Sequence, residues 1–211
     1  MRRHVTVVWA SDAECHPSGA RADTDGVTDG ELLQRQADLQ EEAARLVERL
    51  GLHRILGRAG RVVPLGSAVT GLMVWRDLDF GVDAPHLAAK NLWAEMLPLL
   101  TRCSELRYVN ETDDSRHYFV MCVEGWKIDV SIWTAGIPPE VESFQKTLSA
   151  SLSDSRRLTI LRLKDAWWSL PHYPEVVSAW EIYDAVMNHH VSSPGELDAY
   201  LAARGLPKQG T

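Results

Sequence analysis

The residues best suited to chemistry are two aspartates that stand two positions apart in an apolar stretch. Asp77 and Asp79 flank Leu78 within the segment from Met73 to Val82, whose residue types predict a β-strand. Side chains alternate between the two faces of a strand, so both carboxylates point to one side and Leu78 to the other. Neighbouring carboxylates repel each other, and a bound divalent cation removes that cost. Mg²⁺ prefers such ligands and keeps waters and phosphate oxygens as its remaining ones.

A third aspartate lies in a second predicted strand. Asp129 stands in the segment from Trp126 to Trp133, where Ile128, Val130 and Ile132 share the opposite face. If this strand lies beside the strand of Asp77, three carboxylates meet. Such a set suits two metal ions about 4 Å apart, which clamp a phosphoryl group during in-line displacement. The residues therefore predict two Mg²⁺ ions, with Mn²⁺ as a substitute.

A phosphate-binding turn is predicted ahead of the aspartate pair, at Gly66 and Ser67. The β-branched segment from Arg61 to Leu65 is typical of a strand, and it ends at Gly66. Glycine allows the backbone to approach a ligand closely. A helix that begins here would add a serine hydroxyl and free N–H groups, which together attract anions.

The order and spacing of these residues resemble the DNA polymerase β-type nucleotidyltransferase superfamily. Its signature is a hydrophobic residue, Gly, Gly or Ser, about ten further residues, an Asp-x-Asp or Asp-x-Glu strand, and a later lone Asp. Here Leu65-Gly66-Ser67 is followed by nine residues, by Asp77-Leu78-Asp79 and then by Asp129. The resemblance covers roughly residues 30 to 135. It implies a nucleotidyltransferase core, a small mixed sheet with flanking helices.

The resemblance also implies a role for each matching residue. Ser67 would contact the β- and γ-phosphates of a nucleoside triphosphate. Asp77 and Asp79 would bind both metal ions. Asp129 would bind the catalytic metal and help to deprotonate the acceptor. The cofactors implied are therefore Mg²⁺ and a nucleoside triphosphate, with ATP as the expected donor.

Two cations are further candidates for nucleotide binding. Lys164 lies in Leu163-Lys164-Asp165-Ala166-Trp167, which resembles the helix after the core of poly(A) polymerase-like and oligoadenylate synthase-like members. In those members a lysine reaches the triphosphate, whereas the alternative here is a solvated lysine between apolar stripes. Arg76 precedes Asp77 and is either a phosphate contact or a cation at a strand edge.

The rest of the chain predicts three parts. Residues 1–29 are expected to form a mobile leader, because positions 11 to 30 are rich in Asp, Gly, Ser and Thr and lack periodicity. Residues 30–137 alternate strand and helix patterns and form the predicted catalytic domain. Residues 138–211 carry helical patterns only. The predicted fold class is α/β (α+β), with a C-terminal helical region.

The size and charge of the chain limit the classes of protein to which it can belong. The 211 residues, 45% of them hydrophobic, suffice for one catalytic domain with a helical extension. No apolar run approaches the roughly 20 residues of a membrane span, and the N-terminus does not resemble a secretion signal. These features predict a cytoplasmic protein. A net charge of −7 disfavours non-specific binding to nucleic acid.

The predicted reaction moves a nucleoside monophosphate to an acceptor hydroxyl and releases pyrophosphate. Short chains of this organisation resemble aminoglycoside and lincosamide nucleotidyltransferases, which implies a small-molecule acceptor and antibiotic resistance. An acidic cleft would suit a polycationic aminoglycoside. One alternative is a toxin–antitoxin-type nucleotidyltransferase that modifies a protein or a tRNA. Another is a catalytically silent nucleotide-binding sensor.

Overall fold

The structure, a computed structural model, describes residues 27–174 and 176–209 and the backbone of residues 4–10. The chain divides into two compact units. The first contains Gln40–Thr70 and Arg76–Ala150 together with the N-terminal strand. The second contains residues 27–39, Gly71–Trp75 and the chain from Ser151 onward. The predicted boundary between residues 137 and 138 therefore falls within the first unit.

A mixed sheet forms the centre of the first unit. Its strand order is β1-β4-β5-β6-β3-β2, and every neighbouring pair is antiparallel except β3 and β6, which run parallel. This confirms the predicted class of a small mixed sheet with flanking helices. The strands are β1 His4–Ala10, β2 Arg61–Leu65, β3 Asp77–Asp83, β4 Glu105–Glu111, β5 Arg116–Val123 and β6 Trp126–Trp133.

The N-terminal strand corrects the predicted leader. His4–Ala10 pairs with β4 along its whole length, whereas residues 1–29 were expected to lack structure. The segment is rich in valine and carries a threonine, residue types that favour strands. The polar composition of positions 11 to 30 says nothing about this neighbouring segment. Residues 11–26, the core of the predicted leader, lie outside the described part of the chain.

The two faces of the sheet differ in polarity, as the alternation predicts. On β3 and β6 the apolar face carries Leu78, Phe80, Val82, Ile128, Val130 and Ile132, each at most 3% exposed. The opposite face carries the aspartates. Burial of the apolar face fixes the register, because a slip of one residue would exchange the two faces. The carboxylates are therefore held in place by the core on the other side of the sheet.

Helix α1 spans Asp29–Leu50 and begins directly after Thr28. The backbone N–H of Thr28 donates to Glu31 Oε2 at 2.7 Å, and the N–H of Glu31 donates to Thr28 Oγ1 at 3.3 Å, a capping box. The helix buries Leu32, Gln36, Ala43, Leu46 and Leu50 at helical spacing. The other helices of the first unit are α2 Leu52–Leu56, α3 Gly66–Thr70, α4 Leu92–Leu100 and α5 Pro139–Ser151.

The second unit is helical, with α6 Asp154–Trp167, α7 Ala179–His189 and α8 Pro194–Ala202. The short segment Gly71–Trp75 packs within it. Arg157 Nη1 donates to the carbonyl of Gly71 at 2.8 Å, and Lys164 Nζ donates to that of Leu72 at 2.7 Å. Because Gly71–Trp75 belongs to this helical unit, β3 begins at Asp77 and not at Met73 as predicted.

Within the described residues, no helix has both the length and the apolar character needed to cross a membrane.

Candidate active site

Parallel pairing of β3 with β6 brings the three predicted aspartates together. Asp79 lies directly opposite Asp129, and Asp77 lies opposite Lys127. Each of Asp77, Asp79 and Asp129 offers a carboxylate oxygen, and these oxygens all lie within 4.8 Å of one another. These three residues are called the carboxylate cluster below. The neighbouring strands expected from the sequence are confirmed.

Lys127 supplies a positive charge inside the cluster. Its ammonium lies 2.8 Å from Asp129 Oδ2 and 3.3 Å from Asp77 Oδ1. Burial alone would lower the pKa of Lys127, but the charges of Asp77, Asp129 and Asp79 raise it well above its ordinary value. Sequence reasoning missed this residue. The signal was present, because Lys127 stands two positions before Asp129 and so shares its face.

Tyr118 of β5 is the second residue that the sequence did not reveal. Its hydroxyl donates to Asp129 Oδ2 at 2.5 Å. Burial, reinforced by the charge of Asp129, raises the pKa of Tyr118 far above its ordinary value, so the phenol stays protonated and remains a donor. Asp129 Oδ2 thus receives two donors, from Tyr118 and Lys127.

The two carboxylate oxygens of Asp129 therefore differ in their hydrogen bonding. Asp129 is only 8% exposed. Among the described residues none donates a hydrogen bond to Oδ1, which is buried. A buried carboxylate oxygen without a partner is costly, and a cation is a natural partner for it. Three carboxylates, with this oxygen of Asp129 among their ligand atoms, are hard ligands that fit Mg²⁺ or Mn²⁺.

Replacing Tyr118 by phenylalanine is expected to slow the reaction of the site roughly tenfold to a hundredfold. This range corresponds to the free energy that one hydrogen bond to a charged group contributes. The reason is that Asp129 would lose one of the two donors that orient it. The measurement is the turnover rate with saturating substrates. Tyr108→Phe is the matched control, since Tyr108 bonds His117 Nδ1 at 2.8 Å on the opposite face. Equal losses in both variants would contradict the role of Tyr118.

Gly66 lies in contact with the carboxylate cluster. Its φ is +71°, a left-handed conformation that favours glycine. A Cβ atom at this position would stand 1.9 Å from Asp79 Oδ2, far inside any allowed contact. Only glycine therefore lets the turn approach Asp79 so closely. Ser67, the next residue, is 5% exposed and lies in the short helix α3.

Gln145 of α5 holds the turn on both sides of Gly66. The N–H of Gly66 donates to Gln145 Oε1 at 3.0 Å, and Gln145 Nε2 donates to the carbonyl of Gly66 at 3.4 Å. The N–H of Gly66, one of those expected to attract an anion, is therefore already used by a protein acceptor.

Gln145→Leu is expected to lower the free energy of unfolding by about 1–2 kcal/mol, because both backbone groups of Gly66 lose their partner. If the turn binds phosphate as the sequence predicts, its displacement should also raise KM for a nucleoside triphosphate roughly tenfold. Chemical denaturation and initial rates measure the two effects. Lys146→Leu is the neighbouring control, since the Lys146 side chain is 79% exposed. Unchanged stability and KM in Gln145→Leu would show that the turn does not need this support.

The remaining two predicted residues are committed to other contacts. Arg76 Nη2 lies 2.9 Å from Glu42 Oε2 of α1. Lys164 is 1% exposed and belongs to the helical unit, where its ammonium also lies 3.3 Å from Tyr183 Oη. The solvated alternative for Lys164 is therefore wrong, because its charge is buried. Roles of Arg76 and Lys164 at a triphosphate stay predictions.

Comparison with known proteins gives little beyond this geometry. No family profile and no curated protein matches this chain. A solved structure of the Cid1 poly(U) polymerase, with Mg and 3′-dATP bound, is similar with a TM-score of 0.49 and 14% sequence identity. The match covers 74% of this chain, which spans about half, 54%, of that polymerase chain. The assignment of a function therefore depends on this chain's own side chains.

Proposed function

We propose that this protein is a metal-dependent nucleotidyltransferase that moves a nucleoside monophosphate from a nucleoside triphosphate, with ATP as the expected donor, to an acceptor hydroxyl. The observation that carries the proposal is the carboxylate cluster, with ligand oxygens within 4.8 Å of one another. Oδ1 of Asp129, which is buried and accepts no hydrogen bond from any described residue, supports a bound cation. The close contact between Gly66 and Asp79 supports a phosphate site beside that cation.

The three aspartates would hold the metal. When bound, Mg²⁺ supplies charge stabilisation for the phosphoryl group and activates the attacking hydroxyl. Tyr118 and Lys127 hold Asp129 through Oδ2, so Oδ1 is the oxygen of Asp129 that would be left to bind a cation. Gly66 keeps the turn against Asp79, and Ser67 is proposed to bind the β- and γ-phosphates. The acceptor hydroxyl gives up its proton, with Asp129 as the proposed base, and its oxygen bonds to the α-phosphorus. The bond from that phosphorus to the β-phosphate oxygen breaks, and pyrophosphate leaves.

For the acceptor we propose a small cationic molecule of the aminoglycoside or lincosamide type. The net charge of −7 supports a cationic acceptor over an extended polyanion. Transfer to such a molecule would make the protein an antibiotic-modifying enzyme.

The test follows two labels of ATP in parallel. Purified protein, Mg²⁺ and ATP labelled at the α- or γ-phosphate are incubated with aminoglycosides, lincosamides, bulk tRNA or protein lysate. Nucleotidyl transfer moves the α-label to the acceptor and the γ-label to pyrophosphate, whereas a kinase would move the γ-label to the acceptor. Label on tRNA or protein would indicate the toxin–antitoxin-type activity. Mg²⁺-dependent nucleotide binding without transfer, with other nucleotides also tried, would indicate a sensor.

A further inference from the structure

The carboxylate cluster contains its own cation. Three carboxylates with oxygens within 4.8 Å of one another would repel strongly if nothing lay between them. Lys127 reaches two of them directly, Asp129 at 2.8 Å and Asp77 at 3.3 Å. The Lys127 side chain is only 14% exposed, so water screens its charge poorly. Lys127 thus reduces the charge of the cluster from three negative to two.

A metal ion would meet this ammonium at the same carboxylates. Nζ of Lys127 contacts an oxygen of Asp77 and an oxygen of Asp129, and both residues also belong to the set that can hold a metal. Two cations that share ligands repel each other, and the repulsion is large where the site is partly buried. The ammonium does not bond the buried Oδ1 of Asp129, which has no hydrogen-bond partner in the described part of the chain.

We propose that Lys127 is a resident counter-cation, which holds the carboxylate cluster together before metal binds and which opposes the binding of the divalent ion. The inference rests on the proposed metal site but not on nucleotidyl transfer. It assigns Lys127 a positioning role, because the residue acts on the metal through Asp77 and Asp129. The cluster is thereby assembled without metal and keeps a net charge of two negative.

The experiment is a titration of the full chain with Mn²⁺, followed by the electron paramagnetic resonance signal of the free ion. Lys127→Met removes the charge and keeps much of the side-chain volume, and we expect it to bind Mn²⁺ about tenfold more tightly or better. Lys127→Arg keeps the charge and should stay within about threefold of wild type. Lys146→Met removes an equal charge from an exposed position, where the side chain is 79% exposed, and should also leave the affinity unchanged.

Thermal unfolding of the same variants supplies a second readout. Without metal, Lys127→Met should unfold at a lower temperature than wild type, because the three carboxylates lose their counter-charge. Mn²⁺ at the same saturating concentration should raise its unfolding temperature more than that of wild type, since the stabilisation of the folded state grows with the logarithm of the affinity. A variant that is unfolded without metal and folds with Mn²⁺ would support the proposal equally.

Two results would overturn the proposal. One is a folded Lys127→Met variant whose Mn²⁺ affinity equals or falls below that of wild type. The other is a variant that stays unfolded even with saturating Mn²⁺. Labelled-ATP assays on the wild type separate this inference from the proposed function. If Lys127→Met binds Mn²⁺ more tightly but the wild type transfers no label, the counter-cation role is supported and the proposed nucleotidyltransferase activity is wrong. If the wild type transfers label but Lys127→Met binds Mn²⁺ no more tightly, the activity is supported and the counter-cation role is wrong.

Discussion

Asp79→Asn is expected to lower the rate of nucleotidyl transfer by about 10³-fold or more, equivalent to roughly 4 kcal/mol of transition-state stabilisation. Asp79 lies opposite Asp129 in the parallel pair and against Gly66 in the turn, so it joins the metal site to the phosphate site. Asparagine keeps the size of the side chain and removes the charge that binds a cation. The fold should persist, because the variant also removes like-charge repulsion from the cluster.

The rate is measured with α-labelled ATP at saturating Mg²⁺ and acceptor, beside far-ultraviolet circular dichroism. Asp83→Asn is the matched control, because Asp83 lies on the same strand and face, four positions later, and pairs with Arg61 at 2.9 Å. We expect Asp83→Asn to retain activity within about threefold, since that exposed ion pair contributes little. Full activity in Asp79→Asn would show that the carboxylate cluster takes no part in the reaction.

Gly66→Ala is expected to lower the rate of nucleotidyl transfer by about 10²–10³-fold. The new Cβ would stand 1.9 Å from Asp79 Oδ2, so either the turn or the carboxylate must move. Alanine at a φ of +71° adds a backbone cost of about 1–2 kcal/mol. The variant should therefore lose both stability and activity, as chemical denaturation and initial rates would show.

Gly125→Ala separates these two causes. Gly125 also has a positive φ, +75°, but a Cβ atom there would meet nothing within 4 Å. This variant should lose stability to a similar degree and keep its activity when assayed folded. If Gly66→Ala were no less active than Gly125→Ala, contact with Asp79 would not matter to the reaction.

Local pattern was sufficient to predict which carboxylates could lie together. Alternation around Asp77, Asp79 and Asp129 fixes which face each carboxylate takes, because the period of a strand is a property of the segment itself. The apolar residues between them identify the buried side of the sheet. Strand, turn and fold class follow from such short-range signals, and the structure confirms the strand pairing on which the cluster depends.

Partners from distant parts of the chain were not predictable. Gln145 reaches Gly66 across 79 positions of the chain. Nothing in the local spacing of a glutamine on an amphipathic helix distinguishes it from a solvated one. The same limit explains Arg76, whose contact with Glu42 depends on where α1 lies. Long-range packing decides such contacts, so they become visible only when the fold is known.

The central claim is that Asp77, Asp79 and Asp129 together bind the metal that acts on a nucleoside triphosphate. The most direct measurement is a crystal structure of the protein with Mn²⁺ and a non-hydrolysable ATP analogue, with the ion located by its anomalous scattering. The account predicts Mn²⁺ at about 2.1 Å from an oxygen of each aspartate, including Oδ1 of Asp129, with the triphosphate beside Gly66. Bound nucleotide elsewhere, or saturating Mn²⁺ with no ion at the three aspartates, would contradict it.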